Sequence, residues 1–161
     1  MVGKLRERAE KIKQGNPLDP ATTMGAMVDV NHAKKVEEFL NVGKAEAKLI
    51  TGGDRFSIND SDAFIQPTIF ADVSEDATIA RDEIFGPVLA IQTFDTEDEA
   101  IEMANKSVYG LAASVWTSDL ARAMDLSDKL HVGTVSVNTV DALSAMTPFC
   151  LLYTSPSPRD E

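Results

Sequence analysis

Apolar residues recur every three or four positions in the N-terminal part of the chain and then collect into short continuous runs. Over residues 4–14 this spacing predicts an amphipathic helix. A second helix is predicted to follow Asn31 as its N-cap, because Val36 and Leu40 then fall on one face. The apolar run at 48–51 stands before two glycines and predicts a short strand.

Strands and helices are predicted to alternate from residue 88 onward. Residues 54–63 are polar and rich in turn residues, and no strand is assigned to them. The apolar runs that predict strands are 88–94, 112–116 and 134–137, and the predicted N-caps of the intervening helices are Thr96 and Ser118. This alternation predicts βαβ units in a largely parallel sheet flanked by helices, which is the α/β fold class.

The composition narrows the class of protein and its partners. With 161 residues, of which 43% are hydrophobic and 25% charged, the chain has the composition of a soluble globular domain. A net charge of −11 argues against nucleic acid or an anionic membrane surface as a partner. No long apolar run occurs, so we expect neither a membrane-spanning helix nor a secretory signal. One cysteine cannot form an internal disulfide, which favours a reducing compartment, with the cytoplasm as the default.

The stretch RDEIFGPV at residues 81–88 carries candidate binding chemistry. Gly86 and Pro87 predict a tight corner that leads into a buried strand. The Glu83 carboxylate can accept hydrogen bonds from both hydroxyls of a sugar diol, and the Phe85 ring can pack on a planar heterocycle. Taken alone, the stretch is also compatible with a helix end that has solvated charges and a buried phenylalanine.

Three further stretches favour the binding interpretation. They are GNPLDP at 15–20, ANKSVYGLAASVWTSD at 104–119, and the segment from GTVSVN to TPF at 133–149. Together with residues 81–88, in this order and approximate spacing, they resemble the NAD(P)-dependent aldehyde dehydrogenase superfamily. The resemblance covers nearly everything from residue 3 to residue 149. It implies the α/β fold of that family's catalytic domain, in incomplete form.

The resemblance implies how the parent enzyme works and which residues this chain supplies. The family oxidises an aldehyde to a carboxylic acid with NAD or NADP. A cysteine thiolate attacks the carbonyl, a hydride passes to the nicotinamide, and water activated by a glutamate hydrolyses the thioester. Glu83 matches the residue that holds the nicotinamide ribose, and Phe85 matches the aromatic residue beside the nicotinamide. The residues that match the mouth and lining of the aldehyde tunnel are Asn138, Asp141, Leu143 and Phe149.

The catalytic groups of the family lie upstream of the matching segment. They are a cysteine nucleophile, a general-base glutamate and an oxyanion asparagine, so the resemblance implies no catalytic residue here and an inactive isolated chain. Cys150 stands where the family has a glycine and is not expected to be reactive. We therefore predict that residues 1–149 form part of the catalytic domain. Residues 150–161, which end in a Ser-Pro tract, are predicted to be a disordered or foreign tail.

The remaining expectations concern metals, partners and substrate. His32 and His131 are isolated in the sequence, so we expect surface or capping roles and no metal site. The resemblance implies a small aldehyde substrate and a homo-oligomeric parent enzyme. Residues 16–25 and 137–143 are similar to γ-glutamyl-γ-aminobutyraldehyde dehydrogenases of bacterial putrescine breakdown, with betaine-aldehyde and other amino-aldehyde enzymes as alternatives. A non-catalytic ligand- or partner-binding module that reuses the fold is a second hypothesis, with which the acidic composition is compatible.

Overall fold

The computed structural model describes residues 1–140, 144, 146 and 149–152. The chain folds into two compact units, residues 1–93 and residues 94–161. None of the helices formed by the described residues combines the length and the apolar character that a membrane crossing requires. The observed helices and strands confirm the predicted α/β class.

The first unit is built around a three-stranded sheet and one long helix. Its elements are α1 (Val2–Ala9), α2 (Val30–Glu46), β1 (Lys48–Thr51), β2 (Arg55–Ile58), β3 (Ser61–Ile65), β4 (Thr68–Ala71), α3 (Thr78–Arg81) and β5 (Val88–Ala90). The sheet order is β1-β4-β5, with β1 antiparallel and β5 parallel to β4. The parallel register pairs Thr68 with Val88 and Phe70 with Ala90. Elements β4, α3 and β5 therefore form a βαβ unit, and residues 81–88 lead into its second strand.

The core of this unit lies between α2 and the strands. Val36, Leu40 and Phe70 are fully buried, and the first two occupy the helix face that the sequence predicted. Gly43 lies one turn beyond Leu40 on the same helix and faces the Phe70 ring so closely that a Cβ there would stand 2.8 Å from Cζ. The absence of a side chain at Gly43 therefore lets α2 approach β4 closely.

Residues 54–63 form most of a β-hairpin that the sequence analysis did not assign. Strands β2 and β3 are antiparallel, with Phe56 opposite Phe64. Asn59 and Asp60 connect them with φ angles of 49° and 63°, the positive values that a tight two-residue hairpin turn requires. The polar residues of this stretch concealed the strands, although Asn at the first turn position is a hairpin signal.

The second unit contains the predicted alternation of helices and strands. Its elements are α4 (Glu97–Asn105), β6 (Ala112–Val115), α5 (Leu120–Lys129) and β7 (Thr134–Val137). Strands β6 and β7 are parallel and in continuous register from Ala112 opposite Thr134 to Val115 opposite Val137. Helix α5 connects them, which confirms a βαβ unit here.

Two of the predicted helix caps were wrong by one or two residues. The N-cap of α2 is Asp29, whose side chain accepts from the His32 N–H at 2.8 Å, and Asn31 lies inside the first turn. Similarly, Asp119 and not Ser118 caps α5. The Thr96 cap of α4 is confirmed by its bond from the Glu99 N–H at 3.2 Å. Asx and hydroxyl side chains cap equally well, so only the path of the chain selects among neighbouring candidates.

Helix α1 is shorter than predicted because the backbone beyond it has other partners. The helix ends at Ala9 and not at residue 14. The Lys13 N–H donates to the Thr23 hydroxyl at 2.9 Å, and the Lys13 carbonyl accepts from the Thr23 N–H at 2.8 Å. These bonds to a residue ten positions away replace the helical ones.

The cap assignment of α2 predicts an asymmetric response to two alanine substitutions. Asp29→Ala should lower the free energy of unfolding by about 1 kcal/mol, because it leaves the His32 N–H without its acceptor. Asn31→Ala is the matched control and should change that free energy by less than about 0.5 kcal/mol, since alanine is a better helix former. Urea unfolding followed by far-UV circular dichroism measures both. A larger cost at position 31 than at position 29 would contradict the observed cap.

Candidate functional site

The segment 81–88 forms the corner that the sequence predicted, between α3 and β5. Glu83 is exposed, and Phe85 presents 73% of its surface to solvent, unlike a buried phenylalanine at a helix end. Phe85 also has a φ of 55°, in the left-handed region that a bulky residue rarely adopts. The structure thus brings a carboxylate and an exposed ring together on a constrained turn.

The backbone of Phe85 is held by His32 from the first turn of α2. His32 Nε2 lies 2.7 Å from the Phe85 carbonyl oxygen, and this nitrogen must carry the hydrogen because a carbonyl can only accept. The two rings are in edge-to-face contact, with centroids 6.2 Å apart and planes at 78°. A left-handed residue persists only when its surroundings fix it, and His32 supplies one such restraint.

His32 is a residue of the site that the sequence analysis missed. Its isolated position in the sequence predicts a surface or capping role, yet its ring reaches a partner that is 53 positions away along the chain. The His32 backbone N–H donates to the Asp29 side chain, so the cap of α2 also fixes the backbone position from which the His32 ring extends. No local pattern in the sequence indicates such a contact.

The residues after Phe85 are fixed by close packing and by strand bonds. A Cβ on Gly86 would lie 2.8 Å from Val36 Cγ1, so only glycine allows the corner to approach α2 this closely. The Pro87 carbonyl accepts from the Thr68 N–H at 2.8 Å, which ties the corner to the start of β4. The corner is therefore restrained by a helix on one side and by the sheet on the other.

An open groove of about 430 Å³ adjoins the corner within the first unit. Its lining residues include Gln14, Met24, Met27, Ile65, Phe85 and Pro87. The Gln14 side chain donates to the Ile65 carbonyl at 2.8 Å and so is fixed on the groove wall. A largely apolar surface beside an exposed ring suits a flat aromatic group.

The second unit contains the candidate aldehyde-side residues. Asn138 follows β7 directly, is exposed, and has a φ of 55°. Its side-chain amide pairs with Thr117: Nδ2 donates to the Thr117 carbonyl at 2.8 Å, and Oδ1 accepts from the Thr117 N–H at 2.9 Å. Phe149 is 46% exposed. The two other residues proposed for this side, Asp141 and Leu143, lie outside the described residues.

Cys150 is a half-buried residue whose backbone packs on Gly133. A Cβ at Gly133 would lie 1.8 Å from the Cys150 carbonyl oxygen, so this contact requires glycine. Among the described residues, no group of three or more His, Cys, Asp or Glu side chains could hold a metal ion.

Comparison with known proteins identifies relatives over almost the whole chain. A model of the aldehyde dehydrogenase family matches residues 1–150. The chain is 41% identical over 157 residues to the "NADP/NAD-dependent aldehyde dehydrogenase PuuC" of Escherichia coli K12, covering 98% of this chain and 31% of that enzyme. It is 45% identical over 150 residues to "Betaine aldehyde dehydrogenase 1" of Rhizobium meliloti, covering 92% of this chain and 31% of that one.

Solved structures agree with these relatives. The γ-glutamyl-γ-aminobutyraldehyde dehydrogenase of Burkholderia cenocepacia superposes with a TM-score of 0.84 at 46% identity, over 88% of this chain and 28% of that one. The chain thus spans about three tenths of the length of the proteins it matches.

Proposed function

The chain belongs to the aldehyde dehydrogenase family, and we propose that it supplies the nicotinamide-side part of an enzyme that oxidises an aldehyde to a carboxylic acid with NAD or NADP. The observation that carries the proposal is the corner at residues 81–88. There Glu83 lies two residues before Phe85. The Phe85 ring is exposed, its backbone is in the left-handed region, and its carbonyl is bound by His32 of α2. The name of the Escherichia coli relative, an NADP/NAD-dependent enzyme, supports the choice of cofactor.

In this proposal Glu83 and Phe85 bind and orient the nicotinamide half of the cofactor. The Glu83 carboxylate accepts charge-assisted hydrogen bonds from the ribose hydroxyls, and the Phe85 ring packs against the nicotinamide. The exposed ring and the adjoining groove of about 430 Å³ fit a flat heterocycle with its sugar. The bound nicotinamide would accept the hydride. The corner would fix the position of the acceptor ring and shield one side of it from water.

The second unit is proposed to contribute to the aldehyde side. The residues assigned there are Asn138, Asp141, Leu143 and Phe149. An amino-aldehyde of polyamine breakdown is the proposed substrate. The name of the Burkholderia relative, a γ-glutamyl-γ-aminobutyraldehyde dehydrogenase, supports an amino-aldehyde. Betaine aldehyde is the runner-up because of the Rhizobium relative. We also propose a homo-oligomeric, cytoplasmic parent enzyme, for which sedimentation and fractionation of the full-length protein are the tests.

Nicotinamide mononucleotide is the direct probe of the proposed corner, because it contains the ring and the ribose without the adenosine half. Two charge-assisted hydrogen bonds and one ring contact must also offset the free-energy cost of association, so we expect a dissociation constant of about 1 mM or weaker. We expect a titration followed by amide NMR to perturb Glu83, Phe85 and Gly86. Glu83→Gln removes the charge from both ribose bonds and Phe85→Ala removes the ring contact, and each variant should bind about tenfold more weakly, a loss of about 1.4 kcal/mol.

Two controls distinguish binding at this site from nonspecific binding elsewhere on the chain. Phe94→Ala removes a phenylalanine that is 59% exposed elsewhere on the chain and should leave the titration unchanged. Adenosine monophosphate, the other half of the cofactor, should not perturb the corner. Absence of any response at Glu83 and Phe85, or an equal loss in the Phe94 variant, would refute the assignment.

A further inference from the structure

We propose that His32 is a positioning residue for the nicotinamide: its ring holds the backbone of Phe85 in the left-handed region and so determines where the Phe85 ring can meet the cofactor. The inference rests on the proposed function, which assigns the nicotinamide contact to Phe85. It gives a role in binding to a residue that the sequence predicts only on the surface or at a helix cap. His32 itself need not touch the cofactor, because its partner is the Phe85 carbonyl.

His32 contacts Phe85 at two points, one on the backbone and one on the side chain. Its Nε2 atom lies 2.7 Å from the Phe85 carbonyl oxygen. Its ring meets the Phe85 ring edge to face, with the centroids 6.2 Å apart. The position of a carbonyl oxygen is set by ψ, and the left-handed region is narrow in ψ as well as in φ. A bond to this oxygen therefore restrains Phe85 in that region.

Phe85 needs a restraint from outside because its own conformation is unfavourable. With a φ of 55°, its Cβ comes close to the following carbonyl oxygen, and a phenylalanine has no polar side chain that could offset this cost by a local hydrogen bond. The next residue is Gly86, whose backbone is permissive and offers little steric resistance to rotation of the peptide group between them. A hydrogen bond and a ring contact are together comparable to the cost of such a conformation. Their loss should therefore shift Phe85 towards negative φ.

The restraint comes from a part of the unit that is itself fixed. The His32 backbone N–H donates to the Asp29 side chain at 2.8 Å, which places His32 in the capped first turn of α2. Ala33, the next residue, is fully buried in the core. Val36, one turn along the helix, is also fully buried, and the backbone of Gly86 packs against it. Helix α2 therefore presents the His32 ring from a rigid base, which a residue needs if it is to hold another in one orientation.

The contact also specifies which ring nitrogen of His32 carries hydrogen. A carbonyl oxygen only accepts, so Nε2 must be the donor, and the neutral ring is expected as the Nε2–H tautomer with Nδ1 as the acceptor. Nitrogen-15 NMR that correlates the ring nitrogens with the carbon-bound ring hydrogens identifies the tautomer of the neutral ring at alkaline pH. A neutral His32 ring with its hydrogen on Nδ1 would overturn the proposal.

Two substitutions at position 32 separate the hydrogen bond from the ring contact. His32→Gln keeps a side-chain N–H donor at a similar reach and removes the ring. His32→Phe keeps a ring and removes the donor. Both retain the backbone N–H that donates to Asp29, so α2 keeps its cap. His131→Gln is the matched control, because it makes the same change at the other histidine of the chain, which lies in the second unit.

The first measurement is the conformation of Phe85 in the full 161-residue chain without nucleotide. A residue with a positive φ has its amide hydrogen unusually close to its own α-hydrogen, which gives a strong nuclear Overhauser effect between the two. We expect this signal at Phe85 in the original chain, in His32→Gln and in His131→Gln. In His32→Phe it should weaken about twofold or more, because Phe85 then populates negative φ. An unchanged signal in His32→Phe would overturn the proposal.

The second measurement is the titration with nicotinamide mononucleotide. His32→Phe should bind about threefold to tenfold more weakly, because placement of the Phe85 ring cannot contribute more than the ring itself, for which about tenfold is expected. His32→Gln should rescue binding to within about twofold of the original chain, since the donor is kept. In the Phe85→Ala background, His32→Phe should change binding by less than about twofold, because the ring that His32 positions is gone.

The role of His32 and the proposed function fail on different signals. No nucleotide response at Glu83 and Phe85 in the original chain would refute the proposed function. An equal loss of binding with and without the Phe85 ring would overturn the role of His32, because the histidine would then act elsewhere. Equal losses in His32→Gln and His32→Phe would also overturn it, since the donor would then not matter. In both of these cases the original chain still binds the nucleotide.

Discussion

Replacement of Gly52 by alanine should lower the free energy of unfolding of the first unit by about 4 kcal/mol. Gly52 has a φ of 74°, which costs an L-residue about 1–2 kcal/mol. A Cβ there would also lie 2.3 Å from the Pro67 carbonyl oxygen and 2.7 Å from Thr68 Oγ1. Displacement of these atoms adds about 1–3 kcal/mol. Together these costs are a large fraction of the stability of a small domain, which is about 5–15 kcal/mol.

The damage should extend to the candidate cofactor corner through Thr68. This residue is 2% exposed, and its hydroxyl accepts from the Gly53 N–H at 2.9 Å and donates to the Gln66 carbonyl at 2.8 Å. Its own N–H donates to the Pro87 carbonyl. A methyl group at position 52 would therefore displace Thr68, whose N–H bonds the corner to the start of β4.

The measurement is amide exchange at Phe70 together with urea unfolding followed by circular dichroism. Fluorescence is unsuitable because the one tryptophan, Trp116, lies in the other unit. Gly25→Ala is the control, since a Cβ at Gly25 meets nothing within 4 Å, and it should change the stability by less than about 0.5 kcal/mol. Equal stabilities for the two variants would show that the turn does not need its left-handed glycine.

Incubated with NAD and an amino-aldehyde, the 161-residue chain should form NADH no faster than buffer does. The proposed chemistry needs an activated thiolate, oxyanion donors and a general base. The single cysteine of the chain is Cys150, whose backbone carbonyl packs on Gly133, and a thiol becomes a strong nucleophile only beside cationic groups or at a helix N-terminus. Enzymes accelerate reactions by about 10⁶-fold or more, so the loss of these groups removes any measurable signal.

Cys150→Ala is the decisive companion variant for this assay, and a full-length relative is its positive control. Both forms of the chain should be equally inactive. Turnover by the original chain that disappears in Cys150→Ala would overturn the hypothesis that the nucleophile lies outside this sequence. A chain that binds nicotinamide mononucleotide and shows no turnover is the expected combination. A chain that neither binds nicotinamide mononucleotide nor forms NADH would favour the hypothesis of a non-catalytic ligand- or partner-binding module.

Much of the fold follows from local patterns in the sequence. Val36 and Leu40 are buried because they recur on one face of α2, and Thr96 caps α4 because its hydroxyl lies next to the first free N–H groups. The alternation of β6, α5 and β7 is likewise visible in the sequence. In each case the interacting residues lie within a few positions of one another, so spacing alone is informative.

In the candidate site, too, the sequence predicts what depends on neighbouring residues and does not predict what depends on the path of the chain. The Gly86-Pro87 corner, with Glu83 and Phe85 on it, could be located from the sequence, because turn residues act on the backbone next to them. The choice of Asp29 over Asn31 as the cap of α2 could not be made, since both side chains accept equally well and the path of the chain decides.

What the sequence determined by itself was therefore the class of the fold, the position of the corner and the chemistry that its residues can offer. Only the tertiary structure showed that His32 holds the Phe85 carbonyl and that the Asn138 amide pairs with Thr117, 21 positions away. These contacts depend on how closely a helix approaches a sheet and on which residues face each other in two paired strands. Both are set by packing over the whole unit, and no spacing along the chain encodes them.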